Sequence, residues 1–253
     1  MMHSIIHSLS NRLARSGMTL EYEHRPRLFQ RHSPSDLERL TRRSDTAAWE
    51  LMYATEEMQR WFEASGVPCV IHGRLFDGVR LSSVYFDNEA VAGDAARLFH
   101  KAGHRDVVHL MDTFTSLADR LGAQAFREEI GLRGMRVHTI EHDPSTNSVK
   151  RAVNTFLSIR PRPTAVYVTN PDVAVTVLGY LIAAGFKVPQ QIEMIAGWCD
   201  PILLRTVPEI SHYELDGEAF GKRLAEMVLE CTRNKKCREH KEQFKFRPGG
   251  TTR

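Results

Sequence analysis

Apolar residues recur along this chain in two alternating rhythms. Ile5, Leu9 and Leu13 stand four apart and mark one face of a helix, which Gly17 can end. Two short runs suited to strands follow, 19–23 and 46–52, on either side of a polar, proline-containing stretch from 25 to 43. A helix is expected over 56–64, closed by Gly66, and a buried strand over 67–71 (VPCVI). Another extended run covers 81–86. Asn88 can cap the helix after it, in which Val91, Ala95 and Leu98 repeat at helical spacing as far as Gly103. Beyond it the expected order is strand 107–111, helix 117–130, strand 135–140, helix 149–159, strand 164–168, helix 173–184 and strand 191–196. A last amphipathic helix, 216–230, is built on Phe220, Leu224, Met227 and Val228. Strands that alternate with helices in this way predict an α/β fold of parallel sheets with helices on both faces.

With 253 residues, 42% hydrophobic and 26% charged, the chain has material for one large domain or two smaller lobes. A net charge of +3 is too mild to make the whole chain a nucleic-acid surface. Basic residues gather in 232–253, where eight Lys or Arg stand against Glu239 and Glu242. Without a helical stripe or interleaved aromatics, this segment reads as a solvent-facing linker and tail. Cys69, Cys199, Cys231 and Cys237 form no C-x-x-C pair, which suggests a reducing compartment, and Cys69, inside an apolar run, reads as core filler. No apolar stretch approaches the ~18 residues of a membrane helix. Ile5, Ile6 and Leu9 are too interleaved with polar residues for a secretory signal, so a cytoplasmic protein with no membrane partner is expected.

Several segments, taken in order, resemble the effector-binding core of the lactose and galactose repressor family of transcriptional regulators, whose fold is shared with periplasmic sugar-binding proteins of type I. Gly103, His104 and Arg105 followed by VVHL resemble the family's Gly-His-Arg turn into the first strand of its second lobe. Before it, SSVYFDNEAVAGDAARLF resembles the crossover between lobes. After it, PTAVYVTNPDVAVTVLGYLIAAGFKVPQQIEMIAGWCDP resembles the family's Pro-Thr-Ala, strand, Asn-Asp, helix, Val-Pro, strand, Gly-aromatic-Asp run. The resemblance implies two Rossmann-like lobes joined by three crossovers, with a small-molecule effector, a carbohydrate, between them. Lobe one would comprise 1–84 with 214–243, and lobe two 85–213 with 244–253, where RPGGTTR takes the place of the family's closing strand. It also implies a homodimeric sensor that reaches DNA only through an upstream head. The family opens this core with an apolar strand, whereas Met1 already lies inside the first helix. Losing some five buried residues at about 1.5–3 kcal/mol each removes on the order of 10 kcal/mol, comparable to a domain's whole stability. That strand, a linker and a DNA-binding domain are therefore expected upstream.

Parallel strands aim their carboxyl ends at such a cleft, and a sugar needs hydrogen-bonding groups there with an aromatic face against its C–H side. Past those ends lie Asp112 and Phe114, then Asn170 and Asp172, then Trp198 and Asp200, with His72 after the first-lobe strand. Asn170 and Asp200 are the expected hydrogen-bonding groups and Trp198 or Phe114 the stacking face. Asp172 could instead cap its helix, Trp198 pack in the core, and Asp200 serve the turn before Pro201. The resemblance places a ligand-binding arginine three residues before a Gly-aromatic pair. With Ala125 and Phe126 in that pair's place the position falls on Gly122, and with a slip of two on Arg120. His100 with His104, and His138 with His142, stand four apart. Gly103 breaks the helix in the first pair and the second runs from a strand into a turn, so no metal site is expected. No dinucleotide, P-loop, serine-hydrolase or zincin motif occurs, and neither a cofactor nor catalysis is expected. The alternatives are a transporter's solute-binding protein, which an export signal would mark, and an unrecognised α/β hydrolase, which turnover of the ligand would mark.

Overall fold

A computed structural model of the chain describes residues 1–23, 33–42, 45–233 and 236–253. In chain order its elements begin with α1 (Met2–Ala14), α2 (Pro34–Thr41), β1 (Trp49–Met52), α3 (Glu56–Ser65), β2 (Cys69–His72) and β3 (Ser82–Phe86). The alternation continues with α4 (Asn88–Lys101), β4 (Asp106–Asp112), α5 (Leu117–Leu132), β5 (Arg136–His142), α6 (Thr146–Ser158), β6 (Ala165–Val168), α7 (Pro171–Ala183) and β7 (Glu193–Ala196). A 3₁₀ turn (Leu203–Arg205) precedes β8 (Ser211–Glu214), α8 (Gly217–Cys231), β9 (Glu239–Glu242) and β10 (Lys245–Arg247).

These elements form two compact units, Met1–Phe86 with Asp216–Glu242, and Asp87–Leu215 with Gln243–Arg253. The first holds a four-stranded parallel sheet ordered β1-β2-β3-β9. Leu51, Cys69, Ile71 and Phe62 form an apolar cluster on it, with Trp49 and Trp61 packed alongside. The second holds a six-stranded sheet ordered β10-β8-β7-β6-β4-β5, parallel except for β10. Its central strands are covered on both faces, because successive side chains point to opposite sides. Val108, Leu110, Val166, Val168 and Met194 pack under α6 and α7, while Val107, Ala165, Tyr167 and Ile195 pack under α4 and α5.

The helices begin where short polar side chains can take their orphan N–H groups. Ser116 and Asp119 form a reciprocal capping box at α5, and Asp87 caps α4 by accepting from the Ala90 N–H at 3.2 Å. The cap of α4 is thus Asp87 and not Asn88, which is the first helical residue. Three other expectations change. Residues 19–23 carry no strand, because no neighbouring strand among the described residues supplies the ladder that a strand requires. The stretch 25–43 lies partly outside the described residues, and its described part contains α2, opened by a capping box between Ser33 and Asp36 with Pro34 in the first turn. The basic segment 232–253, whose Lys235 lies outside the described residues, is not simply solvent-facing. β9 extends the first sheet and β10 the second, with charged side chains outward, and Thr251 is fully buried. Residues 248–253 form no strand. Thr251 instead donates its hydroxyl to the Met194 carbonyl at 2.7 Å and accepts from the Ser211 N–H at 2.9 Å.

α1 packs along α8 at glycine contacts. A Cβ on Gly221 would collide with the Ile5 carbonyl, whereas one on Gly179, on the exposed side of α7, would meet nothing within 4 Å. We expect Gly221→Ala to destabilise the protein by about 1–3 kcal/mol. Gly179→Ala should be neutral or stabilise by up to about 1 kcal/mol, through helix propensity alone. Urea unfolding of both variants checks this, and equal effects would mean that the α1–α8 contact is not close.

Candidate functional site

β4 is buried from Val107 to Met111, and within that run the only polar side chain is His109. Its ring lies 5.2 Å from the centroids of both Phe126 and Tyr167, which stack on each other at 5.0 Å and 22°. One ring nitrogen, Nε2, is 3.0 Å from the Thr169 hydroxyl. The other, Nδ1, is buried and has no hydrogen-bond partner among the described residues. Burial, with a smaller contribution from the charge of Arg127, pushes the pKa of His109 down to about 3, so the ring is neutral.

His109 forms part of the wall of a pocket that lies wholly within the second unit, at the carboxyl ends of its central strands. Tyr167 and Thr169 enter from β6 and its end, and Gly197 and Trp198 from the end of β7. The remaining wall comes from the first turns of two helices: Asn88, Val91 and Ala92 of α4, and Asp119, Gly122 and Ala123 of α5. The pocket is narrow and partly open to solvent, its 290 Å³ or so of empty space including the open solvent at its entrance. Asp119 accepts from the Ser116 N–H and hydroxyl at 3.0 and 2.7 Å, and from Asn88 Nδ2 at 3.2 Å. Burial raises its pKa, opposed by the bonds from Ser116. Tyr167 stays a neutral phenol, its pKa raised by burial and then by the charge of Asp119.

Of the residues expected from the sequence, Trp198 lines this pocket. Asp112 ends β4 and Asp200 lies past β7, and each carboxylate accepts from a nearby backbone N–H, of Phe114 and of Ile202, at 3.0 Å. Phe114 is 63% exposed. Asn170 is the N-cap residue of α7 without a side-chain cap bond, and Asp172 sits in the first turn, so the cap position falls on Asn170. Arg120 is exposed and donates to the Thr115 carbonyl at 3.1 Å, whereas Gly122 is buried in the pocket wall. His72 belongs to the first unit. It is buried against Phe86 and Phe220, with Nδ1 2.8 Å from Glu50. Sequence reasoning passed over His109, Asp119, Thr169 and Tyr167. The signals were a lone histidine in an apolar strand and the Ser116-x-x-Asp119 capping box.

Residues 96–252 match the family model described as a periplasmic binding protein-like domain. The HTH-type transcriptional regulator GntR of Pseudomonas aeruginosa is 30% identical over 193 residues, which are 73% of this chain and 55% of that protein. The chain spans about half the length of the curated relatives it matches. A LacI family transcriptional regulator from Bifidobacterium animalis superposes with a TM-score of 0.86 at 18% identity, covering 99% of this chain and 93% of that one. One from Enterococcus faecium, solved with bound ribose, gives a TM-score of 0.83 at 14% identity, covering 99% and 93%. At these identities the two structures establish a shared fold.

The depressed pKa of His109 fixes a pH dependence. In the unfolded chain the ring takes a proton below about pH 6.5, and in the folded one it resists until about pH 3. The unfolded state therefore binds more protons throughout that window, and stability present above pH 6.5 is lost as the pH falls. His109→Phe should remove this share. Relative to wild type, the variant should gain about 2 kcal/mol between pH 7.5 and pH 5, measured by urea unfolding. Parallel pH profiles would show that His109 is not buried neutral.

Proposed function

The chain belongs to the family of periplasmic binding protein-like domains, in the branch that serves lactose- and galactose-repressor-type regulators, and from this premise we propose that it is a regulator's sugar-sensing domain. The observation that carries the reading is the pocket at the carboxyl ends of β4, β6 and β7, where an aromatic side chain, Trp198, meets hydroxyl, carboxylate, amide and imidazole groups. A sugar needs this combination, an apolar face for its C–H side and a partner for each hydroxyl withdrawn from water. The relatives support it: one is a transcriptional regulator, and one solved neighbour holds ribose.

In this reading Trp198 stacks on the ligand, Asn170 and Asp200 supply hydrogen bonds to it, and Asp112, Phe114, Asp172 and Arg120 are further candidate contacts. The sugar must bind two arrangements of the protein unequally, by about 1–3 kcal/mol, to change the affinity of a DNA-binding head carried elsewhere in the full-length cytoplasmic regulator. The domain returns its ligand unchanged, acting as a sensor and not as an enzyme. It works as a homodimer, a reading supported by Ile202, Leu204 and Val207, which leave apolar side chains exposed on one short segment, Val207 by 88%.

Calorimetric titration of the purified chain with a panel of pentoses, hexoses and disaccharides tests the sensing reading. Binding in the micromolar range with a rise in unfolding temperature is expected, and the absence of heat and of thermal shift with every sugar would overturn it. Light scattering tests the dimer. Val207→Asp should convert it to monomer, and a wild-type monomer or an unchanged variant dimer would exclude this surface.

A further inference from the structure

The walls of the pocket carry more information than the sugar-sensing reading uses. Its tightest points are two glycines. A Cβ on Gly197 would come within 2.8 Å of the Tyr167 hydroxyl and 2.9 Å of the Thr169 carbonyl, and one on Gly122 within 3.2 Å of the Asn88 carbonyl. Walls set this close leave room for a single substituent of a ligand, with its ring outside. Among the described residues, His109 of this wall has a buried ring nitrogen, Nδ1, without a hydrogen-bond partner.

The chemistry of that atom is restricted. The Thr169 hydroxyl at Nε2 can donate or accept, so the neutral ring can present either a lone pair or an N–H at Nδ1. A hydroxyl, itself both donor and acceptor, answers either tautomer. The charged group of the wall is the Asp119 carboxylate, whose oxygens are already engaged by Ser116 and Asn88. Among the described residues, no lysine or arginine lines the pocket. Arg127, which faces His109 electrostatically, is exposed and is not part of the wall. A phosphate or carboxylate entering here would lose its water beside a like charge with no cation to meet it. An ammonium would lose its hydration for a carboxylate with little acceptor capacity left.

Resting on the sugar-sensing reading, we propose that His109 makes this pocket selective for uncharged, hydroxyl-bearing ligands: one hydroxyl enters and hydrogen-bonds Nδ1, and charged sugar derivatives are excluded. The test is calorimetry on the full chain with matched ligands. D-glucose is set against D-glucose 6-phosphate, D-gluconate and D-glucosamine, and D-ribose against D-ribose 5-phosphate. We expect a neutral sugar to bind about tenfold or more tightly than its charged counterparts. His109→Phe should weaken it by about tenfold without lowering the unfolding temperature at pH 7.5, and His109→Gln should restore part of the loss. Asp119→Asn should narrow the gap between neutral and anionic ligands. A charged counterpart that binds as tightly as its neutral parent, or a His109→Phe variant with wild-type affinity, overturns the selectivity and leaves the sensor intact. If no sugar binds, charged or neutral, the sensing reading falls and this inference falls with it.

Discussion

A parallel strand covered by helices on both faces has almost no place for a polar side chain except beyond its ends, and the second unit is arranged around that constraint. β4, β6 and β7 are buried nearly throughout. Hydrogen-bonding groups therefore collect where the strands stop and the next helices start. There the helix N-termini have unpaired N–H groups to offer, and residues such as Asp87, Ser116 and Asp119 are held in place by answering them. The pocket is a by-product of this geometry. Two helix starts and three strand ends converge, and the two glycines let the walls approach closely.

His109 is the exception that gives the pocket its character. An imidazole in the middle of a buried strand costs free energy unless it is neutral and paired, and this one is neutral but paired on one side only. Tilted against Phe126 and Tyr167 by 53° and 36°, the ring is confined between them, so the unpaired nitrogen is held in one direction by aromatic packing and by Thr169 together. A group oriented this firmly loses little rotamer freedom when a partner arrives, which is the usual advantage of a preorganised site.

The periodic part of the fold was legible because periodicity reports burial. The strands and helices from 81 to 196 lie within a few residues of where the sequence predicts them, since each helix buries one face and the central strands β4, β6 and β7 are mostly apolar and buried. What the pattern hid follows from the same logic. α2 is short and mostly polar, so only its capping box announced it. β9 and β10 have charged side chains and join their sheets through backbone bonds, to which hydrophobic periodicity is blind. Residues 19–23 have strand-like composition, but strand formation depends on a neighbour, which no local pattern reveals. At the site, reading past the strand ends found Trp198, yet a histidine counted among apolar neighbours went unweighed. The choice between Arg120 and Gly122 was a matter of helix phase: one turn of α5 puts the glycine in the wall and the arginine in water.

The opposite end of the same sheet shows how the chain treats buried polar groups when they serve only the fold. Glu193 opens β7 and is 2% exposed, an expensive position for a carboxylate. It is met by Arg253, whose Nε donates to one oxygen at 2.6 Å, and His104 Nε2 stands 3.5 Å from the other. His104 in turn bonds the Thr164 hydroxyl at 2.7 Å through Nδ1. Arg253 thus answers Glu193 from a distant part of the chain, and the C-terminal segment is fastened to the sheet as a result. Both histidines are buried and bonded to a threonine, and both keep one ring nitrogen without a hydrogen-bond partner among the described residues, but of the two only His109 lines the pocket. An unpartnered nitrogen alone therefore says little, and what distinguishes His109 is its place in the wall of a pocket, where a group from outside the chain is the partner on offer.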